Sequence, residues 1–242
     1  MSRRAVPIVA LDVASGDDAM AVARSLGEYC RFYKVGSELF VAEGPRIIRA
    51  LRAELGADVF LDLKFHDIPN TVAGAVRSAA AMGVRLLTVH ASGGRAMLEA
   101  AREAAGSECG VLGVTVLTSF DDGSLARTWG RAALSIQEEV LRLAGDAAEA
   151  GLHGVVCSGA EAWAVAAVYG ERLALLVPGI RLAGGDAHDQ RRVVTPRAAQ
   201  AAGARYLVLG RAVTAAADPL AVLRRVLDDL AEDAVGVVPS NE

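Results

Sequence analysis

The sequence predicts an α/β protein of the TIM (β/α)8 barrel class, organised as a single domain over residues 1–242. Short apolar runs of strand length alternate with alanine-rich amphipathic segments from one end of the chain to the other, eight of each, in a chain of the usual size for eight βα units. Polar residues also recur at the C-terminal ends of the strand-like runs, where a parallel barrel gathers its functional groups. A doubly wound open sheet is the alternative, but neither a phosphate-loop nor a G-x-G-x-x-G signature is present. No shift in composition marks a domain boundary.

The first expected strand, Ile8–Val13, passes into a helix over Asp17–Leu26, and the second, Arg31–Val35, into a helix over Gly44–Leu55. The third, Asp58–Lys64, is the most informative. Its side-chain alternation sends Phe60, Asp62 and Lys64 to one face and Val59, Leu61 and Leu63 to the other, so an acid and a base sit side by side in a buried run. Burying unpaired charge is costly, so these two must neutralise each other or face a charged ligand. Pro69 disfavours helix at Ile68, and Asn70 is placed to cap a helix over Thr71–Met82, which leaves Asp67 on the strand-to-helix loop. The fourth strand, Leu86–His90, is followed by a helix over Arg95–Ala105, and the fifth, Gly110–Leu117, by a helix over Ser135–Ala150. The sixth, Gly154–Cys157, leads to Ala160–Tyr169; the seventh, Ala174–Pro178, to Thr195–Ala202; and the eighth, Tyr206–Leu209, to Pro219–Glu232. Two connections, Thr118 to Leu134 and Gly179 to Val194, are too long for plain turns and follow strand C-termini, as lids over a barrel mouth do. Residues 233–242 lack periodicity and are expected to be disordered.

A hydrophobic content of 53% supplies a large core, while the net charge of −4 and scattered arginines provide no basic field for nucleic acid. The three cysteines, Cys30, Cys109 and Cys157, lack metal-ligand spacing and suit free thiols in a reducing compartment. The basic start Ser2-Arg3-Arg4 runs straight into Pro7-Ile8-Val9-Ala10 without an apolar signal region, and no stretch approaches membrane-spanning length. A cytoplasmic protein with no membrane partner is expected.

The strand ends define one mouth. Asp12 ends the first, Lys34 the second, Asp62 and Lys64 the third, His90 the fourth, Thr115 to Thr118 the fifth, and Gly210-Arg211 the eighth. Gly210 allows backbone N–H groups to approach an anion and Arg211 adds a bidentate fork, with Pro178-Gly179-Ile180-Arg181 as the partner loop, the usual place for a phosphate in a barrel.

These motifs resemble those of the bacterial orotidine 5′-phosphate decarboxylases, from Val9 to about Arg224. They are Ala10-Leu11-Asp12, Tyr33-Lys34-Val35-Gly36, the run from Phe60 to Val72, Val177-Pro178-Gly179-Ile180-Arg181 with Asp189-Gln190, and Val208-Leu209-Gly210-Arg211. The resemblance implies a cofactor-free, metal-free homodimer that converts orotidine 5′-phosphate to UMP and CO2, the last step of pyrimidine synthesis. It implies that Asp12 and Lys34 hold the ribose hydroxyls and that Lys64 is the proton donor, with Asp62 and Asp67 completing the charged array. Asp67 and Thr71 would reach into the partner's site, Thr118 would contact the pyrimidine, and Gln190, Arg181, Gly210 and Arg211 would surround the phosphate. Two alternatives stay open: a magnesium-dependent sugar-phosphate decarboxylase or synthase of the same superfamily, and a non-catalytic barrel that binds a phosphorylated ligand. Lys34 argues against the first, since an ammonium there would repel Mg²⁺. The complete Asp62, Lys64, Asp67 array argues against the second.

Overall fold

All eight apolar runs form parallel strands that close on themselves in chain order, the first pairing with the last. A computed structural model describes residues 4–133, 135–182 and 194–231. The strands are β1 (Val6–Ala10), β2 (Phe32–Gly36), β3 (Asp58–Phe65), β4 (Leu86–His90), β5 (Gly110–Val114), β6 (Gly154–Val156), β7 (Ala174–Val177) and β8 (Ala204–Leu209). The helices among the described residues are α1 (Gly16–Leu26), α2 (Ser37–Glu43), α3 (Pro45–Leu55), α4 (Pro69–Ala81), α5 (Arg95–Ala105), α6 (Asp122–Thr128), α7 (Ile136–Glu149), α8 (Gly159–Tyr169), α9 (Pro196–Ala201), α10 (Arg211–Thr214) and α11 (Pro219–Ala231).

Strand alternation divides the core into two layers. Ile8, Ala10, Phe32, Phe60, Leu86, Leu112, Leu176 and Val208 point into the barrel and pack on one another. Their neighbours of opposite parity, among them Val9, Tyr33, Val35, Val59, Leu61, Leu87 and Val89, pack outward against α1, α3, α4 and α5 through residues such as Leu26, Ile48, Val76 and Leu98. Each strand is therefore apolar on both faces until its C-terminal end, where the inward positions change from hydrocarbon to Asp12, Lys34, Asp62 and Lys64. Strand β6 runs close against β7 at Gly154, where a Cβ would stand 1.9 Å from the carbonyl oxygen of its partner Ala174.

The observed boundaries correct several expectations. The helix expected over Gly44–Leu55 is α3, but a separate helix, α2, which was not expected, precedes it; Gly44 divides them at φ +57, a left-handed conformation that suits glycine. Asn70 is not a cap. Helix α4 begins at Pro69, whose missing N–H is harmless in the first turn, and its N-cap residue is Ile68. Strand β5 ends at Val114 rather than Leu117, and Thr115 turns its hydroxyl to the carbonyl of Val156 at 2.8 Å. The long connection after β5 contains α6, opened by a capping box between Asp121 and Ser124. Most of the connection after β7, with Gln190, and the expected disordered tail over 233–242 lie outside the described residues. Among the described residues no helix is long and apolar enough to cross a membrane, and all three cysteines are buried and outside any disulfide.

Candidate active site

The strand ends meet around a cavity of about 330 Å³ at the C-terminal mouth. One side carries a row of alternating charges contributed by β2, β3 and Asp12, which stands two residues past the end of β1 because that strand closes at Ala10 rather than the expected Val13. Lys34 Nζ donates to Asp12 Oδ1 at 2.6 Å and lies 3.8 Å from Asp62 Oδ2, while Lys64 Nζ donates to Asp62 Oδ1 at 2.8 Å. The inner members are well enclosed, with side chains 10% exposed for Lys34 and 15% for Asp62, so Asp62 serves as the common counter-ion of two ammonium groups in a partly dried site. Gly36 makes this pairing possible. A Cβ there would sit 2.9 Å from Lys34 Nζ and 3.0 Å from Asp12 Oδ1, displacing one or the other.

Lys64 is held in an unusual backbone conformation. Its φ of +51 is the one positive value at a non-glycine among the described residues, a strained state for a residue with a Cβ. The strain coincides with an irregularity in the β3–β4 ladder between Leu61 and Phe65. Thr88 fills the gap: its fully buried hydroxyl accepts from the Lys64 N–H at 2.9 Å and donates to Asp62 Oδ1 at 2.9 Å. Thr88 is not among the residues singled out from the sequence, because a threonine inside an apolar run is ordinary strand material. Its parity, shared with His90 on the inward face of β4, was the available signal.

The other side of the cavity is built for an anion. Pro178, Gly179, Arg181, Gly210 and Arg211 line it, and the space beside Gly210 is open. Arg181 is buried, and both that burial and the neighbouring Arg211 guanidinium lower its pKa from the ordinary arginine value. Two like charges placed together this way favour a shared anion between them. Between the charged sides lie apolar groups, among them Val116, Leu117, Val156 and Leu176, with Thr118 at the rim.

A sequence model of the orotidine 5′-phosphate decarboxylase / HUMPS family matches residues 6–226. The chain belongs to that family. Orotidine 5′-phosphate decarboxylases of Laribacter hongkongensis and Chromobacterium violaceum are 53% and 51% identical to it, covering 93% and 95% of this chain and 92% and 93% of theirs. The crystal structure of orotidine 5′-phosphate decarboxylase from Lactobacillus acidophilus matches the fold with a TM-score of 0.83 at 35% identity, over 95% of this chain and all (100%) of that one. A second, from Pyrococcus horikoshii, matches at a TM-score of 0.77 and 28% identity.

Of the residues that the resemblance to this family singled out, the cavity brings together Asp12, Lys34, Asp62, Lys64, Thr118, Arg181, Gly210 and Arg211. It does not include Asp67 or Thr71. Both are exposed beyond the end of β3, and Asp67 Oδ1 accepts from the Ile68 N–H at 2.6 Å. His90 also stands outside the lining, its ring 5.3 Å from that of His66 at a tilt of 41°. Thr115, expected at the mouth, is instead buried and committed to the carbonyl of Val156.

Proposed function

We propose that this member of the family decarboxylates orotidine 5′-phosphate to UMP, the last step of pyrimidine synthesis, and that Lys64 stabilises and protonates the C6 carbanion. One observation supports this reading above the others: the Lys64 ammonium is anchored on Asp62 at 2.8 Å in the same cavity as the Arg181 and Arg211 guanidiniums. The substrate is a nucleotide with one reacting carboxylate and one remote phosphate, and the cavity offers a cationic group for each. The phosphate is held by Arg181, Gly210 and Arg211, with Gln190 assigned to the same group by the family resemblance. Asp12 and Lys34 bind the ribose hydroxyls, and the pyrimidine lies against the apolar lining beside Thr118.

The C6–carboxylate bond breaks, CO2 departs, and its bonding pair remains on C6. That carbanion has no conventional electron sink, so the site must supply the stabilisation. Lys64 does so as a cation beside C6 and then transfers its proton there, converting the lone pair to the C–H bond of UMP. The neutral amine regains a proton from solvent. Electrons balance without an oxidant or reductant, in keeping with a reaction that uses no cofactor. Asp62 orients Lys64, and remote phosphate binding supplies energy that is used at the reacting centre.

Asp67 and Thr71 complete the site of a second copy in a homodimer. Both lie outside their own cavity, and Ile68 between them is 66% exposed, an apolar side chain suited to cover by a partner. The enzyme works in the cytoplasm. The magnesium-dependent alternative is less well supported, because Lys34 occupies the position beside Asp12 and Asp62 where a divalent cation would be held. The test is consumption of orotidine 5′-phosphate, followed by absorbance, in excess EDTA. Undiminished turnover is expected; loss of activity restored by Mg²⁺ would favour the sugar-phosphate chemistry.

A further inference from the structure

We infer that Thr88 is a positioning residue for Lys64, acting through a single hydroxyl that ties the strained Lys64 backbone to the Asp62 carboxylate. The inference rests on the function proposed above and goes beyond it, since Thr88 touches neither the cavity nor a substrate within it.

The geometry allows the hydroxyl one arrangement. Thr88 is fully buried on β4, so its oxygen must find both a donor and an acceptor within the protein. The donor is the Lys64 N–H at 2.9 Å and the acceptor is Asp62 Oδ1 at 2.9 Å. The same Oδ1 receives Lys64 Nζ at 2.8 Å. Backbone N–H, hydroxyl, carboxylate and ammonium therefore close a ring that begins and ends on Lys64. The ladder irregularity between Leu61 and Phe65 takes the Lys64 N–H out of regular strand pairing, and Thr88 supplies the acceptor that the twisted backbone needs. Because the hydroxyl proton is directed at Asp62, the carboxylate is fixed by a donor independent of the lysine it orients. A β-branched side chain restricted at χ1 makes this bridge rigid.

Removing the hydroxyl frees Lys64 to leave φ +51, a conformation it holds only under constraint. An error of about 1 Å in the placement of a reacting group is enough for about a hundredfold loss of rate. The effect falls on the chemical step, because the Arg181 and Arg211 side of the cavity is untouched.

The experiment compares Thr88→Val, which removes the hydroxyl at nearly constant volume, with Thr88→Ser, which retains it. Expected for Thr88→Val is a fall in kcat of about tenfold to a hundredfold with KM changed less than about threefold, while Thr88→Ser stays within about threefold of wild type in both. A folded Thr88→Val enzyme with wild-type kcat overturns the inference, as does an equal loss in Thr88→Ser or a change confined to KM. If Thr88→Val does not fold, Thr88→Cys, a weak donor of similar size, is expected to lose kcat without KM; wild-type kcat there is equally fatal. A crystal structure of the Thr88→Val or Thr88→Cys variant gives a readout independent of activity. Lys64 is expected to leave positive φ and its Nζ to move from Asp62, and an unchanged Lys64 overturns the inference. A wild-type enzyme inert toward orotidine 5′-phosphate would instead overturn the proposed function, with the structural readout still deciding the role of Thr88.

Discussion

Replacing Asp62 with alanine removes the shared partner of three donors, and the consequence can be worked out contact by contact. Lys34, whose side chain is 10% exposed, loses one of two counter-ions but keeps Asp12 at 2.6 Å. Lys64 loses its carboxylate at 2.8 Å, yet at 36% exposure it regains water, so that part lies near the surface-pair scale of up to about 1 kcal/mol. The Thr88 hydroxyl, fully buried, is left with no acceptor on Asp62, a desolvation cost of about 1–3 kcal/mol. These contributions total about 1–4 kcal/mol, mostly below the roughly 3–5 kcal/mol for breaking a fully buried pair, because solvent reaches one partner. At about 2–4 °C per kcal/mol for a chain of this size, it corresponds to a fall in Tm of roughly 2–16 °C. Circular dichroism melts of Asp62→Ala against wild type make the measurement, with steady-state kinetics on the same samples expected to show kcat reduced at least about a hundredfold. An unchanged or raised Tm would mean that Asp62 is held against net repulsion instead of serving as the counter-ion of the site.

Arg211→Ala should raise KM for orotidine 5′-phosphate by about 10- to 100-fold, the worth of one charge-assisted hydrogen-bonded contact, while leaving turnover of the phosphate-free nucleoside nearly unchanged; an equal penalty on both substrates would place Arg211 elsewhere. His90 is held below the ordinary histidine range first by burial and then by the positive charges of His66 and Lys64, with Asp62 opposing. The unfolded chain therefore takes up that proton first as pH falls, so the contribution of His90 to stability is complete above about pH 6.5 and is lost as pH falls through the lower folded value. Tm measured from pH 7.5 down to 5 should show a slope that His90→Asn flattens, and an identical slope in the variant would assign the acid sensitivity to other groups. Mixing Lys64→Ala with Asp67→Ala subunits, each inactive alone, should restore about a quarter of wild-type activity, because about half the dimers are mixed and each mixed dimer has one native site. Failure to complement, with subunit exchange shown separately, would mean that Asp67 serves its own chain.

Much of this fold is legible in residue order because a barrel repeats one simple constraint. Each strand must be apolar on two faces, and each helix on one. The alternation in Phe60, Asp62 and Lys64 against Val59 and Leu61 therefore located both core layers as well as the charged mouth. Side chains whose type conflicts with their burial, such as Lys34 and Asp62, identified themselves. What stayed hidden involves residues whose type is unremarkable where they stand. Thr88 suits any strand, so only the folded structure reveals that its hydroxyl joins Lys64 to Asp62. The left-handed backbone of Lys64 has no sequence signature, because it depends on the neighbouring strand, where the β3–β4 ladder shifts and the Thr88 hydroxyl takes the Lys64 N–H, and not on the residue itself. Helix α2 was hidden because the run Ser37–Glu43 is short and Gly44 reads equally well as the start of the next helix. Asn70 looked like a cap because its chemistry suits one, but Pro69 favours the first helical position and starts α4 a residue earlier.

Lys64 is proposed to deliver the proton that replaces CO2 at C6, and turnover of orotidine 5′-phosphate by Lys64→Ala beside wild type, in EDTA, tests that role. Circular dichroism on both samples establishes that each is folded. Wild type is expected to form UMP and CO2 while the variant loses about 10⁴-fold or more in kcat, the combined scale of a lost general acid and a lost electrostatic stabiliser. Near-wild-type turnover by folded Lys64→Ala would contradict that role.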